Sequence, residues 1–342
     1  MKFISAIILI IFFLFKTGNV LSNNSIFHVN NIEIDNKYYK NKDKFFNNLF
    51  KDGFDQLSKK ILLKKDYQRL QSLSIKEIKN LISHYEIIEP KKNSDPISSN
   101  IFFDRSKLNS FFFKNKIAYC DFDDTEITFF PLLIENNKTY IFDKNYFFEN
   151  WKVDNTQIEY ILPVESIEFI ENIKKYNSIG DYDTKTIFEE YNLQNNLIVI
   201  ININDKKTKI LLKGFIGGKP IIKNLIYDIE IENEIENKVN LIKFIDAEII
   251  EIYKTQNMID LQTPSFLNAQ LDLKKTSEIY YVREVFNNLD TVEYLRFQEI
   301  NKDYIKIKVK FYGKLEKLTN SLRRSNLSLK YKNNDWKLNF DK

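Results

Sequence analysis

The strongest constraint on this chain is a hydrophobic period that switches between two and about 3.6. From Phe266 apolar residues alternate to Leu273, then recur at helical spacing through Ile279, Val282 and Phe286. They alternate again over 292–298 and 304–311, around Asn301-Lys302-Asp303, turn helical over 315–322, and alternate once more over 327–331 and 336–340. A period of two buries one face of a strand, and a period near 3.6 buries one stripe of a helix. The order is β-α-β-β-α-β with an extra edge strand carrying Trp336, a split βαβ, ferredoxin-like arrangement.

The other end of the chain reads in the same way. Ser25–Asp35 alternates as a strand, and Phe46, Leu49, Phe50, Phe54, Leu57, Ile61 and Leu62 mark a helix. Gly53 inside that helix costs about 1 kcal/mol relative to Ala, so its expected role is close packing. Ser74-Ile75-Lys76-Glu77 is a capping box. Tyr85–Ile88 and Ile101–Phe103 read as strands, Asp104 as the N-cap of a helix bearing Leu108, Phe111 and Phe112, and Ile117–Asp121 as a closing strand.

Between the ends, Ile127–Glu135 and Thr139–Phe142 flank a hairpin turn at Asn136-Asn137-Lys138. Tyr146–Trp151 is an aromatic segment, and helical patterns follow at 165–176 and 184–191. Leu197–Ile203, Thr208–Leu212 and Pro220–Tyr227 read as an antiparallel meander, closed by a long helix over Ile235–Tyr253. The expected fold class is α+β, built from small modules in series: 23–124, 125–262 and 263–342.

The first residues read as an export signal. Lys2 precedes an apolar run from Phe3 to Phe15, and Val20-Leu21-Ser22 offers a cleavage site before Asn23. A bilayer core needs about 20 apolar residues, so the run is short for an anchor. The expectation is a signal peptide over residues 1–22, a periplasmic mature chain, and membrane attachment only through an uncleaved signal.

Composition narrows the chemistry. Removal of Lys2 and Lys16 takes the formal charge from +4 to +2, and a chain so near neutrality is not expected to bind nucleic acid. One Cys and two His exclude zinc fingers, multi-Cys redox centres and a disulfide framework. The 45 Lys against 6 Arg, with 40 Asn, fit an AT-rich genome and weaken arguments from any single lysine.

No motif carries a reaction. Asp121-Phe122-Asp123-Asp124-Thr125-Glu126 lacks the glycine and spacing of a calcium loop. Gly214-Phe215-Ile216-Gly217-Gly218-Lys219-Pro220 has Pro where a phosphate loop needs Ser or Thr, and reads as a hairpin turn. Cys120 lies in an apolar strand, as buried cysteines commonly do. His28 and His84 would need converging partners for a metal or base role. Arg323-Arg324 suits a helix C-terminus. No cofactor, metal or catalytic residue is expected.

Three segments together resemble a known family: Gly53-Phe54-x2-Leu57, Ser83-His84-Tyr85-Glu86-Ile87, and Phe103-Asp104-x3-Leu108-x2-Phe111-Phe112 before Ile117–Tyr119. They are similar to the bacterial exported family known as domain of unknown function 2066. The resemblance spans roughly residues 40–260, with Lys, Phe and Tyr at most of the family's Arg and Trp positions. It implies a periplasmic location and no assigned activity.

The functional expectation is a non-catalytic envelope interaction or assembly factor, with other envelope proteins as partners. Its candidate surfaces are Phe147, Phe148 and Trp151, and the final strand at Trp336. The alternatives are an envelope hydrolase or transferase using Asp104 with the Asp121–Glu126 carboxylates, and a small-ligand carrier.

Overall fold

The computed structural model describes residues 25–38, 41–88, 96–121, 125–153, 157–174, 181–204, 207–228, 234–332 and 335–341. The expected signal peptide lies outside them. The fold is α+β, as expected, and its contacts group into two compact units. One unit joins the chain up to Leu57 with Leu73–Ile117 and Asp260–Lys342, and the other joins Ser58–Ser72 with Ala118–Ile259. The two end segments, read as separate domains above, therefore share a unit.

In the first unit, β1 (His28–Ile34), β2 (Ile82–Ile88) and β3 (Ile97–Phe103) form an antiparallel sheet in the order β1-β3-β2. Helix α1 (Lys42–Ile61) buries Phe45, Leu49, Phe54 and Leu57 at three- to five-residue steps. Gly53 does permit close approach, because a Cβ there would lie 2.4 Å from Ile101 Cδ1 and 3.0 Å from Ile32 Cδ1. The chain then passes through α2 (Lys64–Leu70), which belongs to the second unit, and α3 (Ile75–Leu81) opens with both halves of the expected capping box. Asp104 caps α4 (Arg105–Asn115), accepting from the Lys107 amide at 3.0 Å.

The expected closing strand of this module is not there. Ile117–Asp121 shortens to β4 (Tyr119–Cys120), which pairs in the second unit with β11 (Met258–Ile259). The amino-terminal sheet therefore has three strands: β1 and β2, linked through helices, run parallel on either side of antiparallel β3, a split βαβ without the expected fourth strand. Apolar patterning marks Ile117–Asp121 as buried, but does not say against which strand it is buried.

The carboxy-terminal sheet comes closer to expectation. Strands β12 (Ser265–Asp272), β13 (Val292–Ile300), β14 (Tyr304–Phe311), β15 (Leu327–Lys332) and β16 (Asp335–Phe340) order as β13-β14-β12-β16-β15. Helix α9 (Ser277–Asn288) connects β12 to β13, which are parallel to each other and separated by β14. Both α9 and α10 (Leu315–Arg324) cover one face, where Val282, Phe286, Leu318 and Leu322 meet Leu267, Leu271, Ile307 and Val309. The extra strand is not an edge strand. β16 enters between β12, to which it is parallel, and β15, to which it is antiparallel. Trp336 therefore sits on an interior strand, half-buried, with its ring 5.1 Å from Tyr331.

The second unit is a mixed sheet covered on two faces. Its order is β10 (Lys219–Asp228), β9 (Lys207–Ile216), β8 (Asn196–Asn204), β5 (Thr125–Glu135) and β6 (Lys138–Tyr140), and β7 (Ile158–Ile161) also pairs with β5. The β5–β6 turn uses Asn136 and Asn137 at φ 50° and 60°, as a type I′ hairpin requires. The β8–β9–β10 meander is present, and β5 joins β8 in parallel.

On one face of the unit, Ile127, Phe129, Val199 and Ile201 pack under Ile242, Ile245 and Ile249 of the long helix α8 (Glu234–Gln256). On the other face, Phe130, Leu132, Ile198 and Ile200 meet Phe169 and Ile173 of α6 (Ile167–Lys174), Ile187 of α7 (Thr184–Ile187), and Phe188. Burial on both faces explains why Leu197–Ile201 reads as one unbroken apolar run.

Candidate functional site

Of the sequence-level suspects for chemistry, Asp104 is engaged within the fold. The Asp104 carboxylate is taken up by its helix N-terminus, and Asp121 is buried at the end of β4. Asp123 and Asp124 lie outside the described residues, and Glu126 is exposed. Cys120 is buried in the β4–β11 pair. The two His do converge, but on one aromatic ring. Phe102 stacks with His84 at 4.2 Å and meets His28 edge-on at 4.7 Å, on the sheet face opposite α1. Gly217 and Gly218, at φ 57° and 71°, make the β9–β10 turn. Their amides donate to Asn195 Oδ1 at 2.7 Å and to Gln194 O at 2.9 Å, which binds them within the protein. Among the described residues, no group of three or more His, Cys, Asp or Glu is placed to hold a metal. No described helix is long and apolar enough to cross a membrane.

The aromatic surface around Phe147 proves to be a clamp across the end of the sheet. Asn145 caps the short helix α5 (Tyr146–Glu149), accepting from the amides of Phe147 and Phe148 at 3.1 and 3.3 Å. Its Nδ2 donates to the carbonyls of Pro131 at 2.8 Å, Ile141 at 3.0 Å and Tyr140 at 3.2 Å. Phe147 then enters the core beneath α8, while Phe148 packs against Phe130 and Phe142 on the opposite face. Trp151 is buried 4.1 Å from the Phe129 ring. The structure places Phe147 and Trp151 in the core rather than on an open surface.

Sequence reasoning missed a polar joint inside the first unit. Asp290, in the α9–β13 turn, accepts from the Ser25 hydroxyl and the Ile26 amide, each at 3.0 Å. Arg105 donates to the carbonyls of Leu289 at 2.5 Å and Asn287 at 3.0 Å, closing the C-terminal end of α9. Burial pushes the Asp290 carboxyl above its ordinary value, against the hydrogen bonds from Ser25 and Ile26 and the charges of Arg105 and His28. No local pattern signals contacts more than 180 residues apart in sequence.

It also missed the outer edge of β10. This strand pairs with β9 in unbroken register from Lys219 to Asp228 and has no other strand neighbour among the described residues. Ile221, Leu225 and Tyr227 lean toward α8, whereas Ile222 and Ile226 on the other face are 71% and 63% exposed. Native edges are commonly blunted by Pro, Lys or a bulge. Here Lys219 and Pro220 guard only the first residues, and Lys223 is engaged with Glu248 at 2.6 Å. The alternating run that reads as a strand in the sequence carried this signal, but it does not show which strand is outermost. In comparisons with known proteins, the chain matches no family model, no curated protein and no solved structure.

Proposed function

We propose that this chain is an exported, periplasmic binding protein that works without catalysis, taking an extended segment of an envelope protein as an added strand along β10. The observation that carries this reading is the ten-residue edge with its exposed Ile222 and Ile226. Strand addition supplies main-chain hydrogen bonds for affinity and side-chain pockets for specificity. An edge of this length guarded only at its first residues is an aggregation hazard unless something covers it. The apolar tract at the start of the chain supports export.

A photo-crosslinking residue at position 226, introduced into the full gene in the exporting cell, tests the proposal. The expected result is one discrete protein adduct, absent when the crosslinker sits at exposed Tyr280 and lost on Ile222→Lys. Adducts at both positions alike, or none at 226, would refute strand addition there. Intact Met1 on the purified chain would separately refute export.

A further inference from the structure

The face of the carboxy-terminal sheet opposite α9 and α10 carries a line of cations that nothing in the preceding reading uses. Alternation puts Tyr294 and Arg296 of β13, Lys306, Lys308 and Lys310 of β14, Asn268 and Gln270 of β12, Lys337 of β16 and Lys330 of β15 on this face. Two of the lysines are neutralised: Lys306 by Glu299 and Lys310 by Glu293, each at 2.8 Å. Arg296, Lys308, Lys337 and Lys330 have no such carboxylate among the described residues, and they occupy neighbouring rows of the sheet. Arg296 is directly opposite Lys308, and Lys337 directly opposite Lys330, with the amides of Asn268 and Gln270 between the two pairs. With strands about 4.8 Å apart, the line crosses the five strands over about 19 Å.

Two features indicate what the line receives. Like charges set directly opposite each other are destabilising, so the Lys337–Lys330 and Arg296–Lys308 pairs cost stability unless an anion lies over them. The rings on this face are already occupied: Arg296 lies 4.5 Å over Tyr294, Lys308 lies 5.1 Å over Phe266, and Lys306 lies 5.4 Å over Tyr304. The rings hold the cations in place, and a planar base would have to compete with a cation for each of them. That favours a ligand recognised by its charges and hydroxyl groups. Glu293 and Glu299, paired with Lys310 and Lys306, flank Arg296, and Asp335 lies two residues before Lys337 on the same face; charge bordered in this way fits a chain-like ligand better than a broad surface.

We propose that this face binds a linear acidic polysaccharide, whose carboxylates or sulfates lie across the strands on Arg296, Lys308, Lys337 and Lys330 while Asn268 and Gln270 bond its hydroxyls. The site is independent of the β10 edge, so either reading can fail without the other.

The test is fluorescence anisotropy of the full chain with labelled oligogalacturonate and heparin dodecasaccharides at low and physiological salt. Binding is expected for both, weakening as salt rises. Lys330→Gln/Lys337→Gln and, at the far end, Arg296→Gln are each expected to weaken binding at least tenfold. Lys306→Gln/Lys310→Gln, at positions already neutralised, is expected to change it less than twofold. Melting temperature is read in parallel, and relief of the like-charge pair is expected to leave it unchanged or raised in Lys330→Gln/Lys337→Gln. Absence of binding at low salt would overturn the proposal, as would equal binding of neutral dextran or tighter binding of a dodecameric single-stranded DNA. Equal losses in the neutralised and uncompensated variants would overturn the track.

Discussion

Gly214→Ala probes a close backbone approach in the second unit. Gly214 lies on β9 opposite Leu197 of β8, at φ +155°, and a Cβ there would sit 2.0 Å from the Asn196 carbonyl oxygen and 3.0 Å from the Leu197 Cα. Both obstacles are backbone, so no rotamer change relieves them, and the β8–β9 ladder has to open. Backbone strain at a positive φ costs about 1–2 kcal/mol, and overpacking a closed site adds about 1–3 kcal/mol. The expected loss is therefore about 2–5 kcal/mol.

Gly53→Ala is the internal comparison. Its nearest obstacles are the ends of Ile101 and Ile32, which can move, and Ala contributes helix propensity that offsets part of the crowding. The expected change there is within about 2 kcal/mol of zero.

The two tryptophans make the measurement separable, because Trp151 lies in the second unit and Trp336 in the first. In a Trp336→Phe background, urea unfolding followed by fluorescence reports the second unit alone. Gly214→Ala should lower its midpoint sharply. Gly53→Ala, followed by far-UV circular dichroism, should change the unfolding of the first unit little. A Gly214→Ala midpoint equal to that of its parent would refute the close β8–β9 approach.

Three further outcomes follow from named contacts. Asn145→Ala removes a fully buried amide that serves two amides and three carbonyls; it should destabilise the second unit by about 2–4 kcal/mol in the same Trp151 assay. Lys254→Met deprives the carbonyls of Lys59 and Leu62, at the end of α1, of their donor; the expected cost in urea unfolding is about 1–3 kcal/mol. The Asp290 carboxyl is raised above its ordinary value by burial, so its contribution is fully present below the unfolded value and is lost as pH rises through the folded one. Urea midpoints of wild type and Asp290→Asn should therefore diverge in favour of the variant between acid and neutral pH, and parallel curves would count against the burial of that charge.

Elements whose partners are close in the chain were legible from residue pattern. The Ser74–Glu77 box, the Asp104 cap, the Asn136-Asn137 turn and the Gly217-Gly218 turn rest on interactions spanning a few residues, and each is where the pattern places it. Errors began where an element chooses among distant partners. Ile117–Asp121 and Trp336–Phe340 both read as strands, yet one pairs with Met258–Ile259 and the other inserts between β12 and β15. Apolar alternation encodes which face is buried; register and neighbour are settled by the rest of the sheet.

The same distinction explains the functional reading. Large aromatics drew attention to Phe147 and Trp151, but burial of a large ring is the ordinary result of folding, and these rings hold the two faces of one sheet to its end. Informative positions in a folded chain are those where burial fails to occur or charge goes unanswered. Ile222 and Ile226 are apolar and exposed on an outer strand, and Lys330 faces Lys337 across a ladder without an acid between them. In sequence both are unremarkable, an isoleucine in an alternating run and a lysine among 45. Topology turns them into surfaces: it makes β10 the last strand of its sheet and brings four cations from four strands into one line. A search for function in a chain with so little catalytic vocabulary is therefore best directed at sheet edges and uncovered sheet faces rather than at its most conspicuous residues.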